Sequence, residues 1–216
     1  MPVLTIASSK GGPGKTTVAM LLSGRLAADG IKVTAIDADP TMAFHRWATN
    51  AYEGPAFTSR TQTDETHLAH LIDAESRVAD LVLVDTAGFG NRAAAVAMTS
   101  ADAVLIPTLS GEADITEAEK TVRLAEGLAR AARRDIPARV LLNRVKRTQL
   151  ARHAAREIER ATLPLLTATL GDLVAYGEMT FSGRVPDQGV AGDELARLVA
   201  ELRTIGWIPT RHNGLT

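Results

Sequence analysis

The segment Lys10-Gly11-Gly12-Pro13-Gly14-Lys15-Thr16-Thr17 constrains this chain more than any other stretch. It joins an apolar, β-branched run at residues 3–7 to a helix-period stretch from about Lys15 to Ala28. A glycine-rich turn that leaves a buried strand and opens a helix aims several backbone N–H groups at one point. The helix N-terminus adds the positive end of its dipole. The result is a cradle for phosphate oxygens, and its Gly14-Lys15-Thr16 ending is that of a P-loop. The standard motif has a glycine where this chain has Ser9, so the match to that form is partial. In such a loop Lys15 neutralises the β- and γ-phosphates and the Thr16 hydroxyl holds Mg2+. Gly11, Gly12, Gly14 and Thr17 line the same cradle. Pro13 has no N–H to donate, so it either stiffens the loop or costs one phosphate contact. A plain glycine turn between strand and helix would need neither Lys10 nor Lys15.

The alternation begun there continues. Further apolar runs lie at 32–36, 81–84, 103–106 and 139–142, most of them continuous, as strands buried on both faces are. Helical periodicity marks residues near 64–77, 91–100, 113–134, 148–161 and 193–205. This pattern predicts an α/β fold with a mostly parallel central sheet and helices on both faces. At 216 residues it is expected to be one domain. Residues 50–63 read as an irregular surface loop, and 171–192, with five glycines, as a mobile loop region. The tail from Pro209 reads as frayed. The chain has no cysteine, which excludes disulfides, thiol nucleophiles and Cys-ligated zinc. It shows no basic leader and no apolar run near the ~20 residues that span a bilayer, so a soluble cytoplasmic protein is the expectation.

Two later strands end in carboxylates. One ends Ile36-Asp37-Ala38-Asp39-Pro40, the other Leu83-Val84-Asp85-Thr86-Ala87-Gly88. The carboxyl ends of parallel strands face the crevice where such sheets bind ligands. Asp85 follows four apolar residues, the Walker B pattern of a carboxylate that binds Mg2+ through water. Gly88 and Gly90 supply the freedom of a switch loop. Each aspartate alone would be an ordinary strand-end cap. Three strand ends converging on one phosphate site favour the functional reading.

Lys10 gives the motif its particular form. Lys-Gly-Gly-Xaa-Gly-Lys-Thr-Thr resembles the deviant Walker A loop of the ParA/MinD ATPase superfamily. The resemblance runs over nearly the whole chain and is densest in residues 3–47, 81–90 and 103–145. It implies ATP and Mg2+ as ligands, and a homodimer closed on two nucleotides in which Lys10 reaches the partner's nucleotide. It implies that Asp39 orients the attacking water and that Asp37 supports the Mg2+ shell. It also places Asn143-Arg144, after a later strand, at the adenine edge, where an amide offers both donor and acceptor. Alone, Asn143 would be an ordinary turn residue and Lys10 a solvated lysine. Within the superfamily the chain is similar to small ParA proteins without a DNA-reading domain. It also resembles the ParA-like ATPases of conjugative DNA-transfer systems, through residues 36–39 with Arg46-Trp47 and residues 105–108 with Asp114-Ile115. Ala87-Gly88 departs from the common ParA pattern, where proline is frequent.

The overall charge of −1 conceals an asymmetry. Residues 120–160 carry twelve Lys/Arg against four Asp/Glu, a net +8, and the rest of the chain carries −9. Arg152, Arg156 and Arg160 form an i, i+4, i+8 stripe beside the basic turn Lys146-Arg147. Such a stripe suits sequence-independent contacts to DNA phosphates, or else is a solvated helix face with local ion pairs. The resemblance favours DNA bound non-specifically by the ATP dimer, a nucleoid-associated location, and a ParB-like or relaxosome-type partner. No aromatic residue is interleaved, so single-strand stacking is not expected. The helix at 193–205 has too few cations for a membrane helix and reads as core.

The expectation is therefore an ATPase that drives plasmid or chromosome partition or DNA transfer. One competing reading is a positioning ATPase for a non-DNA cargo, of the MinD kind. Another is a metabolic ligase of the dethiobiotin synthetase type, which would need a small-molecule pocket beside the γ-phosphate.

Overall fold

Each central strand carries apolar residues on both faces, and the two sets pack against different helices. The computed structural model describes residues 2–88, 91–146 and 163–210. Its strands are β1 (Val3–Ile6), β2 (Val33–Ala38), β3 (Thr58–Thr61), β4 (Leu81–Thr86), β5 (Ala103–Thr108) and β6 (Ala138–Leu142). Its helices are α1 (Lys15–Ala28), α2 (Ala43–Asn50), α3 (Glu65–Ser76), α4 (Arg92–Ser100), α5 (Glu112–Ala132), α6 (Val174–Ser182) and α7 (Gly189–Thr204). The strands form one parallel sheet in the order β3-β2-β4-β1-β5-β6. Leu4, Ile6, Leu83 and Leu105 face a core shared with α1, α2, α6 and α7. Val82, Val84, Val104 and Ile106, one residue out of phase, face a second core with α3, α4 and α5. The predicted parallel sheet with helices on both faces is what forms.

The chain leaves β1 toward β2 on one side, and later crosses to β5 and β6 on the other. A ligand crevice forms at such a switch point. The adjacent strands β2, β4 and β1 all end there, in register: Asp37 pairs with Asp85, and Asp85 with Ile6. Equivalent residues on neighbouring strands point to the same face, so both carboxylates face the α1 side.

Three elements depart from expectation. The irregular loop at 50–63 contains β3, whose Thr-Ser-Arg-Thr sequence is half-exposed because it is an edge strand. Residues 43–50 form α2, and Asp37 caps it by accepting the His45 N–H. The glycine-rich stretch 171–192 contains α6 and the start of α7. Gly183 ends α6 at φ 69, where a Cβ would lie 1.7 Å from the Ala51 carbonyl oxygen. On the far side of the sheet, residues 164–170 run along β6 and exchange backbone hydrogen bonds with Val140 and Leu142. The helix expected at 148–161 lies outside the described residues. Among the described residues no helix is long and apolar enough to cross a membrane.

Candidate nucleotide site

The phosphate loop takes its shape from two glycines with positive φ, Gly12 at 94° and Gly14 at 92°. Gly14 is the N-cap of α1 and offers no side-chain acceptor, so the first N–H groups of the helix have no side-chain cap. Lys15 is buried, and its Nζ lies 3.3 Å from the Lys10 carbonyl, across the loop. Burial lowers the pKa of this ammonium, and the charges of Asp85 and Asp39 oppose that shift. A phosphate in the cradle would add negative charge beside the Lys15 ammonium and favour its charged form.

Thr16 and Asp85 meet as the motif predicts. The Thr16 hydroxyl donates to Asp85 Oδ2 at 2.8 Å. Asp85 Oδ1 is buried and has no hydrogen-bond partner among the described residues. Burial pushes the Asp85 carboxyl up to about 7; the Thr16 hydrogen bond opposes this and the charge of Asp37 adds to it. A buried carboxylate oxygen without a partner, beside a hydroxyl and a phosphate cradle, fits a hard cation such as Mg2+. Among the described residues no cluster of three acidic or histidine side chains could hold a metal without the nucleotide. The cation would therefore share phosphate and water oxygens with Thr16 and Asp85.

Asp37 is fully buried. Its Oδ1 accepts the Asp39 N–H at 3.0 Å and its Oδ2 accepts the His45 N–H at 2.9 Å. Burial raises its pKa, against the effect of those two bonds. Asp37 thus builds the turn that carries Asp39. The Asp39 carboxylate in turn accepts the Thr41 N–H at 2.8 Å.

The front of the loop is tied to α5. Lys10 Nζ makes an ion pair with Asp114 of its own chain at 2.8 Å. The Ser9 N–H donates to Thr121 Oγ1, and the Ser9 hydroxyl lies 2.8 Å from Glu117 Oε2 and 2.9 Å from its carbonyl. Serine at the position of the standard glycine thus has a structural use. Sequence reasoning missed Asp114, Glu117 and Thr121 as neighbours of the loop, because they lie more than a hundred residues away. Gly88, after β4, sits against the backbone of Gly11.

The back of the loop meets β6. Asn143 Nδ2 donates to the Pro13 carbonyl at 2.7 Å, and Asn143 Oδ1 accepts the Arg144 N–H at 2.9 Å. Arg144 takes a positive φ of 52°, and its Nε lies 3.3 Å from Asp172 Oδ1. Gly12, Gly14, Thr17, Asn143, Arg144 and Tyr176 line a cavity of about 250 Å3. Asp172, Leu173 and Thr180 also line it; like Tyr176 they come from the region read as a loop, and sequence did not single them out. The Tyr176 hydroxyl lies 3.1 Å from Glu194 Oε2 of α7. Lys146 stands just beyond β6, whereas Arg147, Arg152, Arg156 and Arg160 lie outside the described residues.

Fold and site together define a P-loop protein of the ParA/MinD class, with its second lysine at the loop entrance. A profile of the VirC1 protein family matches residues 1–199. The chain is 33% identical to "Protein virC1" of Rhizobium radiobacter over 189 residues, 85% of this chain and 82% of that one. It is 37% identical to "Protein ParA" of the same organism over 125 residues, 57% of this chain and 56% of that one. The chain therefore spans little more than half the length of that ParA. The fold is that of the Cyanothece McdA(D38A)–ATP complex, with a TM-score of 0.80, 17% identity, and coverage of 97% of this chain and 98% of that one. This chain belongs to the VirC1 protein family, among relatives that are partition or positioning ATPases.

Proposed function

We propose that the protein hydrolyses ATP as a dimer closed on two Mg·ATP, and that it acts in the partition or transfer of DNA. The observation that carries the nucleotide reading is the Thr16–Asp85 pair beneath the uncapped start of α1. Water attacks the γ-phosphorus in line, the bond to the β–γ bridging oxygen breaks, and ADP and phosphate leave. Lys15 balances charge on the transferring phosphoryl group. Mg2+, when bound, would neutralise charge on the β- and γ-phosphate oxygens. Asp39 orients the water, on a turn held by Asp37. Asn143 and Arg144 border the cavity that receives the base. To reach the partner's nucleotide, Lys10 exchanges Asp114 for phosphate. Replacing Lys15 with alanine should lower the ATPase rate by at least about a hundredfold. An unchanged rate would remove the site assignment.

The DNA part of the reading rests on the VirC1 and ParA relatives and on the basic segment at 120–160. Binding of random duplex DNA with ATP, with ADP and without nucleotide, across a salt series, tests it. Cooperative, salt-sensitive binding confined to ATP is expected. Binding to no DNA would redirect the reading to a positioning ATPase with another cargo. A ParB-like or relaxosome-type protein is the partner this function calls for, as an activator of hydrolysis.

A further inference from the structure

We propose that Asn143 is a positioning residue of the phosphate loop, whose amide sets the grip on phosphate whatever base is attached. This rests on the nucleotide-site reading and goes beyond a role at the base. Pro13 has no N–H, so the loop can be tied at this residue only through its carbonyl. Asn143 Nδ2 does so at 2.7 Å, in a buried setting. The orientation of the amide is fixed by its neighbours. Turned over, it would set oxygen against the Pro13 carbonyl and NH2 against the Arg144 N–H, two repulsive contacts.

The fit extends to the next residue. A Cβ on Gly14 would lie 2.2 Å from Asn143 Nδ2, so the amide packs directly on the loop backbone at the point where α1 begins. Asn143 is itself held by its N–H to the Thr108 carbonyl at the end of β5. The loop is thus anchored at Ser9 by α5 and at Pro13 by β6. Removing the second anchor frees the residue before Gly14, whose geometry aims the first N–H groups of α1. A lost buried hydrogen bond of this kind corresponds to about tenfold or more in binding.

The test compares ATP with inorganic tripolyphosphate, which has no base, each with Mg2+, by calorimetry and competition. The proteins are wild type, Asn143→Asp and Asn143→Ala, with folding checked by thermal melting. Failure of the wild type to bind ATP would refute the nucleotide-site reading, not this role. Given ATP binding, both variants should weaken ATP and tripolyphosphate by the same factor, about tenfold or more. A loss for ATP with tripolyphosphate unchanged would make Asn143 a base reader and overturn the proposal. So would unchanged affinity for both ligands, or a wild type that binds ATP and no tripolyphosphate. Should the variants not fold, the wild type decides by NMR. The Asn143 side-chain amide resonances should move on adding tripolyphosphate; movement with ATP alone would refute the role.

Discussion

On the proposed reading Asp85 holds a cation, which requires a negative charge, and its burial opposes that charge. A carboxyl whose pKa is raised on folding, here to about 7, binds more protons folded than unfolded. Stability therefore falls as pH rises from the ordinary carboxylate range toward 7, and stays at the lower level above it. Asp85→Asn should raise the melting temperature at pH 8 without nucleotide or Mg2+. The gain is on the order of 2–4 kcal/mol and should shrink at pH 5. The same variant should lose Mg2+-dependent ATP binding, which calorimetry measures. A second expectation concerns protons: Mg·ATP binding at pH 6.5 should release protons from Asp85, and this release should vanish in Asp85→Asn. The meeting of Thr16 and Asp85 was legible because each lies at or after a strand end of the same sheet, and adjacent parallel strands end side by side. The use of Asp37 was not, since nothing in Ile36-Asp37-Ala38 says that its oxygens take the N–H groups of Asp39 and His45.

Among the elements, α5 holds the loop entrance. Its Asp114 keeps Lys10 on its own chain through an exposed ion pair, worth no more than about 1 kcal/mol. Two such pairs open per dimer, so Asp114→Asn should tighten ATP-dependent dimerisation by no more than about thirtyfold, and Lys10→Ala should abolish it. Sedimentation velocity with ATP distinguishes these outcomes. At the end of α6, Gly183→Ala combines a positive φ with a backbone collision at Ala51. It should cost about 2 kcal/mol or more, seen as a fall in melting temperature of several degrees. The buried strands and α1 were legible because continuous apolar runs and an apolar helical stripe opening at a glycine-rich turn leave few alternatives. β3 was not, because an edge strand of Thr-Ser-Arg-Thr buries too little to need an apolar run. α6 was hidden by glycines; Gly177 lies on an open part of that helix, where its missing side chain has nothing to pack against.

For the whole molecule, the uneven charge distribution makes the sharpest claim. Replacing Arg152, Arg156 and Arg160 together with alanine should weaken binding to all duplex sequences alike. It should also flatten the dependence of affinity on salt by about three contacts. Filter binding at several salt concentrations measures both, and unchanged binding would reject the stripe. The charge asymmetry itself could be read from the chain because charge needs no partner to be counted. The tether of Asn143 to Pro13 could not, because it depends on how closely two distant turns approach.

The two margins of the sheet carry a further consequence. Along β6 the backbone is already bonded to residues 164–170 of the same chain. The opposite margin, β3, is short and presents Arg60. Neither margin offers a long, bare row of backbone groups to a neighbouring strand. Among the described residues these margins thus disfavour strand-to-strand pairing between copies. On the proposed reading, union between copies would then run through side chains and bound nucleotide, and would be undone when the nucleotide changes.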